Sequence, residues 1–298
     1  MSSPTPTNKK SGLALYTQAA EASSAVVIGN YSTSFGWATK LLGKADRHHV
    51  RNIYALVRVA DEIVDGAAAE ALSTAIGVDP HAMLDKFEQE TYRAVECGFS
   101  SNLVVHAFAY TAREVGIKRE LIQPFFNSMR TDLFQRVHDK RSFETYIYGS
   151  AEVVGLMCLQ VFLNGISLRD EEKAEFVSGA RALGAAFQKV NFLRDLSADF
   201  EKLGRSYFPL IHVENFNNSE RDRLVEDIRN DLNTSKVSLE KLPSSSKRAV
   251  GAALMFFEAL SNKIAATPAN QLIKKRIRVS DLQKFVILLK ATFGVSPK

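Results

Sequence analysis

An all-α fold is what this 298-residue sequence predicts. Three observations lead there. Apolar residues recur at helical spacing over most of the chain. Clusters of Gly, Pro, Ser and Asn fall between those segments. Alternating strand patterns are hard to find. Hydrophobic residues make up 46% of the chain, ample for a sizeable core. With no internal repeat and no Gly/Ser linker long enough to divide it, a single domain over residues 12–298 is expected, after a polar Pro/Ser-rich tail at 1–11.

The elements follow in order. Helices are expected over about 12–29 and 31–42, the second stopping before Gly43. The third, over 46–65, ends at the "GAAA" of 66–69. "VDPH" at 78–81 starts a helix over 80–96, and "ECGFSSN" at 96–102 separates it from one over 101–115. A helix over 118–136 contains Pro124, and one over 142–163 stops before Gly165. A long helix over 170–202 ends before Gly204 and Pro209. Helices over 218–233, 245–264 and 279–293 complete the set, with "LPSSSK" and "TPAN" as breaks.

Charged residues are 24% of the chain, ordinary for a soluble protein, and the net charge is +5. That balance suits phosphates, acidic headgroups or nucleic acid, although solubility alone explains it as well. Cys97 and Cys158 have neither metal-ligand spacing nor a disulfide framework, which points to a reducing cytoplasm. The opening residues lack the apolar core of a signal peptide. The longest apolar run, "VVGLMCLQVFL", is too short to span a bilayer.

At 100° per residue, Arg47, Arg51, Tyr54, Arg58, Asp61 and Asp65 fall within an arc of about 80° on the third helix. Val50, Ile53, Leu56, Val57, Ala60, Ile63 and Val64 lie on the other side. The plain alternative is a solvated face with i,i+4 pairs. Two features argue against it: the acids lie near the helix C-terminus, where the macrodipole disfavours them, and the cations are arginines, the better bidentate phosphate ligands. Carboxylates beside arginines suit a metal-bridged phosphate. Gly184, Gln188, Asn191, Asp195 and Asp199 form a second polar stripe within about 80° on an otherwise apolar helix. Such a row is expensive to bury unless it faces a partner or a wet cavity. Two such walls facing each other would make a metal site.

The pieces "YSTSFGWA", "YALVRVADEIVDG", "SMRTDL", "YIYGSAEVVGLM", "FQKVNFLRDLSADF" and "GRSYFP" resemble, in order, motifs of the squalene/phytoene synthases, most nearly bacterial phytoene synthase. The resemblance covers about residues 31–209. It implies an isoprenoid synthase fold, helices around a central cavity, and prenyl diphosphate substrates. Asp61, Asp65, Asn191, Asp195 and Asp199 would then hold Mg²⁺, or Mn²⁺ in its place. Tyr54, Arg58, Gln188 and Arg194 would bind diphosphate or face the carbocation region. Tyr31, Ser32, Thr33, Ser34 and Phe35 would line the first substrate site, and Arg205 and Tyr207 would belong to a loop closing over it.

The implied chemistry is head-to-head condensation of two geranylgeranyl diphosphates to phytoene through a cyclopropylcarbinyl diphosphate. NADPH is not expected for it. Squalene or dehydrosqualene formation from farnesyl diphosphate is the alternative, and a non-catalytic scaffold relative is a third reading. The absence of a C-terminal anchor fits the phytoene branch. Three positions depart from the family pattern. "LLGKADR" replaces a frequent Leu-Leu-Pro, Phe256 stands where many relatives have tyrosine, and Glu152 stands where glycine is frequent. A late family arginine falls at Arg276 or Arg278, and both remain open.

His48 and His49 lack a carboxylate partner at zinc spacing. There is no Ser/His/Asp constellation, no G-x-S-x-G, no P-loop and no G-x-G-x-x-G. No nucleic-acid recognition motif is present, and the arginines are interleaved with acids. The basic run "IKKRIRVSDLQK" reads as a solvated helix edge or, more sharply, as a surface for peripheral membrane association.

Overall fold

Apolar stripes at helical spacing have to be buried against one another, and the computed structural model shows how. It describes residues 11–72, 79–203, 207–209 and 215–293, with the backbone alone at 69, 72 and 197–203. Among the described residues the regular elements are all helices, with no sheet. In chain order the helices are α1 (Gly12–Tyr31), α2 (Thr33–Lys40), α3 (Lys44–Val64), α4 (Ala67–Leu72), α5 (Pro80–Cys97), α6 (Leu103–Val115), α7 (Arg119–Asp132) and α8 (Lys140–Ile147). A π-helical turn, Tyr148–Glu152, joins α8 to α9 (Val153–Phe162). Then come α10 (Asp170–Leu203), α11 (Asn218–Leu239), α12 (Ser244–Ala265), α13 (Ala269–Leu272) and α14 (Asp281–Thr292).

Local chemistry sets the helix ends. Ser32 closes α1 and caps α2, its hydroxyl accepting from the Phe35 N–H at 3.1 Å. Asp79 caps α5 with Pro80 in the first turn, and Gly98 ends it in the left-handed conformation. Asn217 and Glu220 form a reciprocal capping box at the start of α11. Three expectations change. The Ala-rich stretch after Gly66 is helical, because alanine favours helix once the turn is made. "TPAN" opens the short α13, and α11 extends six residues beyond the expected 233.

Gly43, at the position where the resemblance implies a frequent proline, donates its N–H to the Ser245 carbonyl at 2.9 Å. Proline has no such donor. A Cβ at Gly43 would also come within 3.1 Å of the Ser245 Cβ. The departure therefore ties the α2–α3 turn to the start of α12.

Two large apolar clusters result. One gathers residues of α3, α5, α6, α7 and α9 around Leu56, Phe108, Phe125 and Met157. The other gathers residues of α8 and α10 to α14 around Leu193, Ile228 and Leu254. Close approach across the seam depends on glycine. A Cβ at Gly184 would lie 2.6 Å from the Ala151 carbonyl oxygen, and one at Gly155 would lie 2.5 Å from that of Ala180. The continuous rod Lys140–Phe162 has the length and apolarity to cross a bilayer, contrary to the shorter run read from sequence. Here it packs against α3, α7 and α10.

Candidate active site

A cavity of about 300 Å³ lies along this seam, walled by α2, α3, the π turn, α9, α10, α11 and α12. Its lining is mostly aliphatic and aromatic. Tyr54, Gln188 and Asn191 supply polar groups toward one end, and Leu42, Phe162, Phe176 and Leu239 line the other. Phe35 sets the level of the upper part: its ring centroid is 6.2 Å from that of Tyr54, 6.0 Å from Phe187 and 5.8 Å from Phe257. Phe176 and Asn191 are fifteen residues apart on α10, so the lined length is roughly 22 Å at 1.5 Å per residue.

Above Tyr54, α3 carries an ion cluster. Arg58 pairs with Asp61 at 2.5 Å and with Glu62 at 2.7 Å, and its guanidinium carbon sits 4.4 Å from the Tyr31 ring centroid. Glu62 also accepts from the Ala67 N–H at 2.9 Å, which anchors the start of α4. Burial raises the Tyr54 phenol above its ordinary pKa, while the nearby Arg58 and a side-chain hydrogen bond with Ser32 oppose the shift.

The facing wall carries a matching cluster. Asp195 pairs with its neighbour Arg194 at 2.5 Å and accepts from Arg276 Nε at 2.7 Å. Of the two late arginines, Arg276 is the one that reaches Asp195. Arg278 is exposed, and its backbone carbonyl takes the Lys263 ammonium at 2.6 Å.

Behind these clusters lies a third acid that sequence reasoning did not single out. Asp132, 3% exposed at the end of α7, accepts from the Tyr146 hydroxyl at 2.7 Å and from the Tyr207 hydroxyl at 3.2 Å. Burial first, then the Asp132 and Tyr207 groups and more distantly Asp65, push the Tyr146 phenol well above its usual pKa. Tyr207 stacks on Phe192 at 3.9 Å, three residues before Asp195.

The expected residues are thus distributed unevenly. Phe35, Tyr54, Gln188 and Asn191 line the cavity, and Arg58, Asp61, Arg194 and Asp195 stand beyond its polar end. Asp65 caps α3, its N–H donating to the Asp61 carbonyl. Tyr31 and Ser32 reach the site through Arg58 and Tyr54. Thr33 is exposed, and neither it nor Ser34 lines the cavity. Tyr207, expected in a closing loop, is buried against Asp132 and Phe192. The Asp199 side chain and Arg205 lie outside the described residues. Arg47, on the same stripe as Arg58, donates to the Lys40 and Leu42 carbonyls at 2.9 and 2.8 Å and so closes the end of α2. Glu152 accepts from Arg181 at 2.6 Å and bridges the π turn to α10.

Among the described residues, no three His, Cys, Asp or Glu side chains converge as a metal cluster. The donors that do reach the mouth are carboxylate oxygens, the chemistry a hard divalent cation takes. Each is held by arginine.

The site is thus an apolar cavity inside a helical shell, with acid–arginine clusters beyond its polar end. The chain belongs to the squalene/phytoene synthase family, whose model matches residues 28–283. It is 27% identical over 202 residues to the 4,4'-diapophytoene synthase of Staphylococcus haemolyticus, covering 67% of this chain and 66% of that one. It is 26% identical over 279 residues to the chloroplastic phytoene synthase 1 of Solanum lycopersicum, covering 88% and 65%. The chain thus spans just under two thirds of the length of these relatives. In fold it is similar to a dehydrosqualene synthase solved with a ligand (TM-score 0.76, 20% identity, 94% and 98% covered). It is also similar to the squalene synthase HpnC of Alicyclobacillus acidocaldarius (TM-score 0.70, 19% identity, 88% and 97% covered).

Proposed function

We propose that this protein is a prenyltransferase that joins two prenyl diphosphates head to head, and specifically that it makes phytoene from two geranylgeranyl diphosphates. The observation that carries the reading is the pairing of an apolar cavity with two acid–arginine clusters beyond its polar end. Relatives named phytoene synthase and diapophytoene synthase support it. The prenyl tails lie among residues such as Val57, Leu183 and Phe187, at roughly 0.8 kcal/mol per buried CH₂. Arg58, Arg194 and Arg276 meet the diphosphate oxygens, neutralising leaving-group charge.

Asp61, Asp65, Asn191 and Asp195, with Asp199, would hold Mg²⁺ or Mn²⁺, which when bound neutralises diphosphate charge. Ionisation of one allylic diphosphate leaves a carbocation that the double bond of the second substrate attacks. Loss of a proton from the adduct closes the ring of a cyclopropylcarbinyl diphosphate, which releases the second diphosphate, rearranges, and loses a second proton to give the linear product. Phe35, Phe187 and Tyr54 offer ring faces to the cation without trapping it, and the apolar lining keeps water from quenching it. No NADPH is needed for this outcome, and a cytoplasmic location goes with it.

Incubation with Mg²⁺ and C15 or C20 diphosphate, with and without NADPH, followed by product mass, tests the reading. Phytoene from the C20 substrate without NADPH is the expected result. Product from the C15 substrate alone would move the assignment to squalene or dehydrosqualene synthesis, and no hydrocarbon under any condition would overturn the enzyme reading.

A further inference from the structure

We infer that the outer face of α14, with the basic segment before it, is a docking surface for an anionic lipid bilayer. The helix is apolar on both sides. Ile287 and Ala291 are buried, and Leu288 is partly buried, against α2 and α12. Leu282, Phe285, Val286 and Leu289, with Phe293 at the C-cap, face outward, and Leu282 and Phe293 are 76% and 78% exposed. At 100° per residue these five occupy an arc of about 100°, centred opposite the buried side. An apolar arc of that width on a surface helix is one that ordinarily faces a core. Here the protein supplies nothing to cover it among the described residues.

Charge identifies the occupant. Between Ile273 and Phe293 there are six basic residues against one acid, Asp281, a net +5 that equals the net charge of the whole chain. Arg276 is turned to Asp195 and Lys284 to Asp281. Lys274, Lys275, Arg278 and Lys290 are exposed. An apolar helical face beside a cluster of exposed cations fits an interface with acyl chains below and phosphate headgroups around. A protein partner of matching chemistry would need an apolar groove ringed by acids. A bilayer presents both features over any area.

The surface also lies close to the cavity. Ala38 and Ala253 line the cavity and belong to the small cluster that holds Ala291 of α14. Little more than alanine side chains separates the inner face of α14 from the cavity at that level.

The test needs no substrate, so it stands apart from the activity assay. The full chain is floated with vesicles of phosphatidylcholine alone or with equimolar phosphatidylglycerol, at low and high salt. Binding to the anionic vesicles is expected, weaker in high salt and weak on neutral ones. Phe285→Ser with Phe293→Ser should lower partitioning by about tenfold or more while circular dichroism is unchanged, since both rings are exposed. Lys274→Glu with Lys275→Glu, which touches no core residue, should cut the preference for anionic vesicles by about tenfold or more. Equal binding to neutral and anionic vesicles, or undiminished binding by either double variant, would overturn the inference. So would a wild-type dimer that binds no vesicles and that the Phe285/Phe293 variant dissociates in sedimentation equilibrium, because α14 would then cover a second copy of the chain.

Discussion

Tyr207 donates its hydroxyl to Asp132, 75 positions earlier in the chain, at 3.2 Å. The bond joins the segment after α10 to the end of α7, and Tyr146 of α8 donates to the same carboxylate. Asp132→Ala would take this acceptor from two buried phenols, at roughly 1–3 kcal/mol each. A fall of several degrees or more in the melting temperature, followed by circular dichroism, is expected, together with lost turnover. Asp132→Asn retains one acceptor and should fall between the two. An Asp132→Ala variant that melts with the wild type would show that the carboxylate is not the tie described here.

Arg276 and Arg278 separate cleanly in the structure. Only the first reaches Asp195, with contacts at 2.7 and 3.3 Å. Arg276→Ala should lower kcat/KM by roughly 10- to 100-fold, the range for hydrogen bonds to charged groups, while helical content stays intact. Arg278→Ala should stay within about twofold in kcat/KM and melt with the wild type, since its side chain is exposed. Equal losses in the two variants would contradict the assignment.

Periodicity made much of this site readable, and its failures share one cause. Tyr54, Arg58 and Asp61 share a face because 3.6 residues make a turn, and that face does meet the polar end of the cavity. Arg47 shares the same face but faces α2, whose carbonyls it closes; a helical wheel fixes direction around one axis and not the neighbour met along it. Glu62 lies just outside the stripe, yet a long carboxylate at i+4 folds back to Arg58. Asp132 lies within "SMRTDL" but drew no role of its own, because the Tyr146 and Tyr207 hydroxyls it accepts from lie 14 and 75 residues away. The fold class and most helix limits follow from local chemistry; the tie at Asp132 depends on tertiary packing.

Two glycines give opposite expectations for the same substitution. A Cβ at Gly184 would stand 2.6 Å from the Ala151 carbonyl oxygen and 3.0 Å from its carbon, both backbone atoms. Gly184→Ala should cost about 1–3 kcal/mol, because α10 and the π turn must move apart. Gly29, exposed on α1, meets nothing within 4 Å. Gly29→Ala should stabilise by about 0.5–1 kcal/mol through helix propensity. Chemical denaturation of both variants measures the contrast, and a stable Gly184→Ala would mean that the seam is looser than the geometry indicates.

His49 supplies a pH dependence whose sign follows from its surroundings. Its Nδ1 lies 2.9 Å from the Thr111 hydroxyl, which also accepts from Asn52 at 3.0 Å, and the His48 ring centroid is 3.9 Å away. Burial, reinforced by His48, lowers its pKa from 6.5 to about 4. The unfolded chain therefore takes up a proton between those values that the folded protein refuses, and stability rises with pH across that window. The contribution is fully present above about pH 6.5, falls as the pH drops toward 4, and changes little below. His49→Gln should flatten the pH dependence of the melting temperature between pH 6.5 and 4 without altering its course above pH 7. An unchanged slope in the variant would place the titrating group elsewhere.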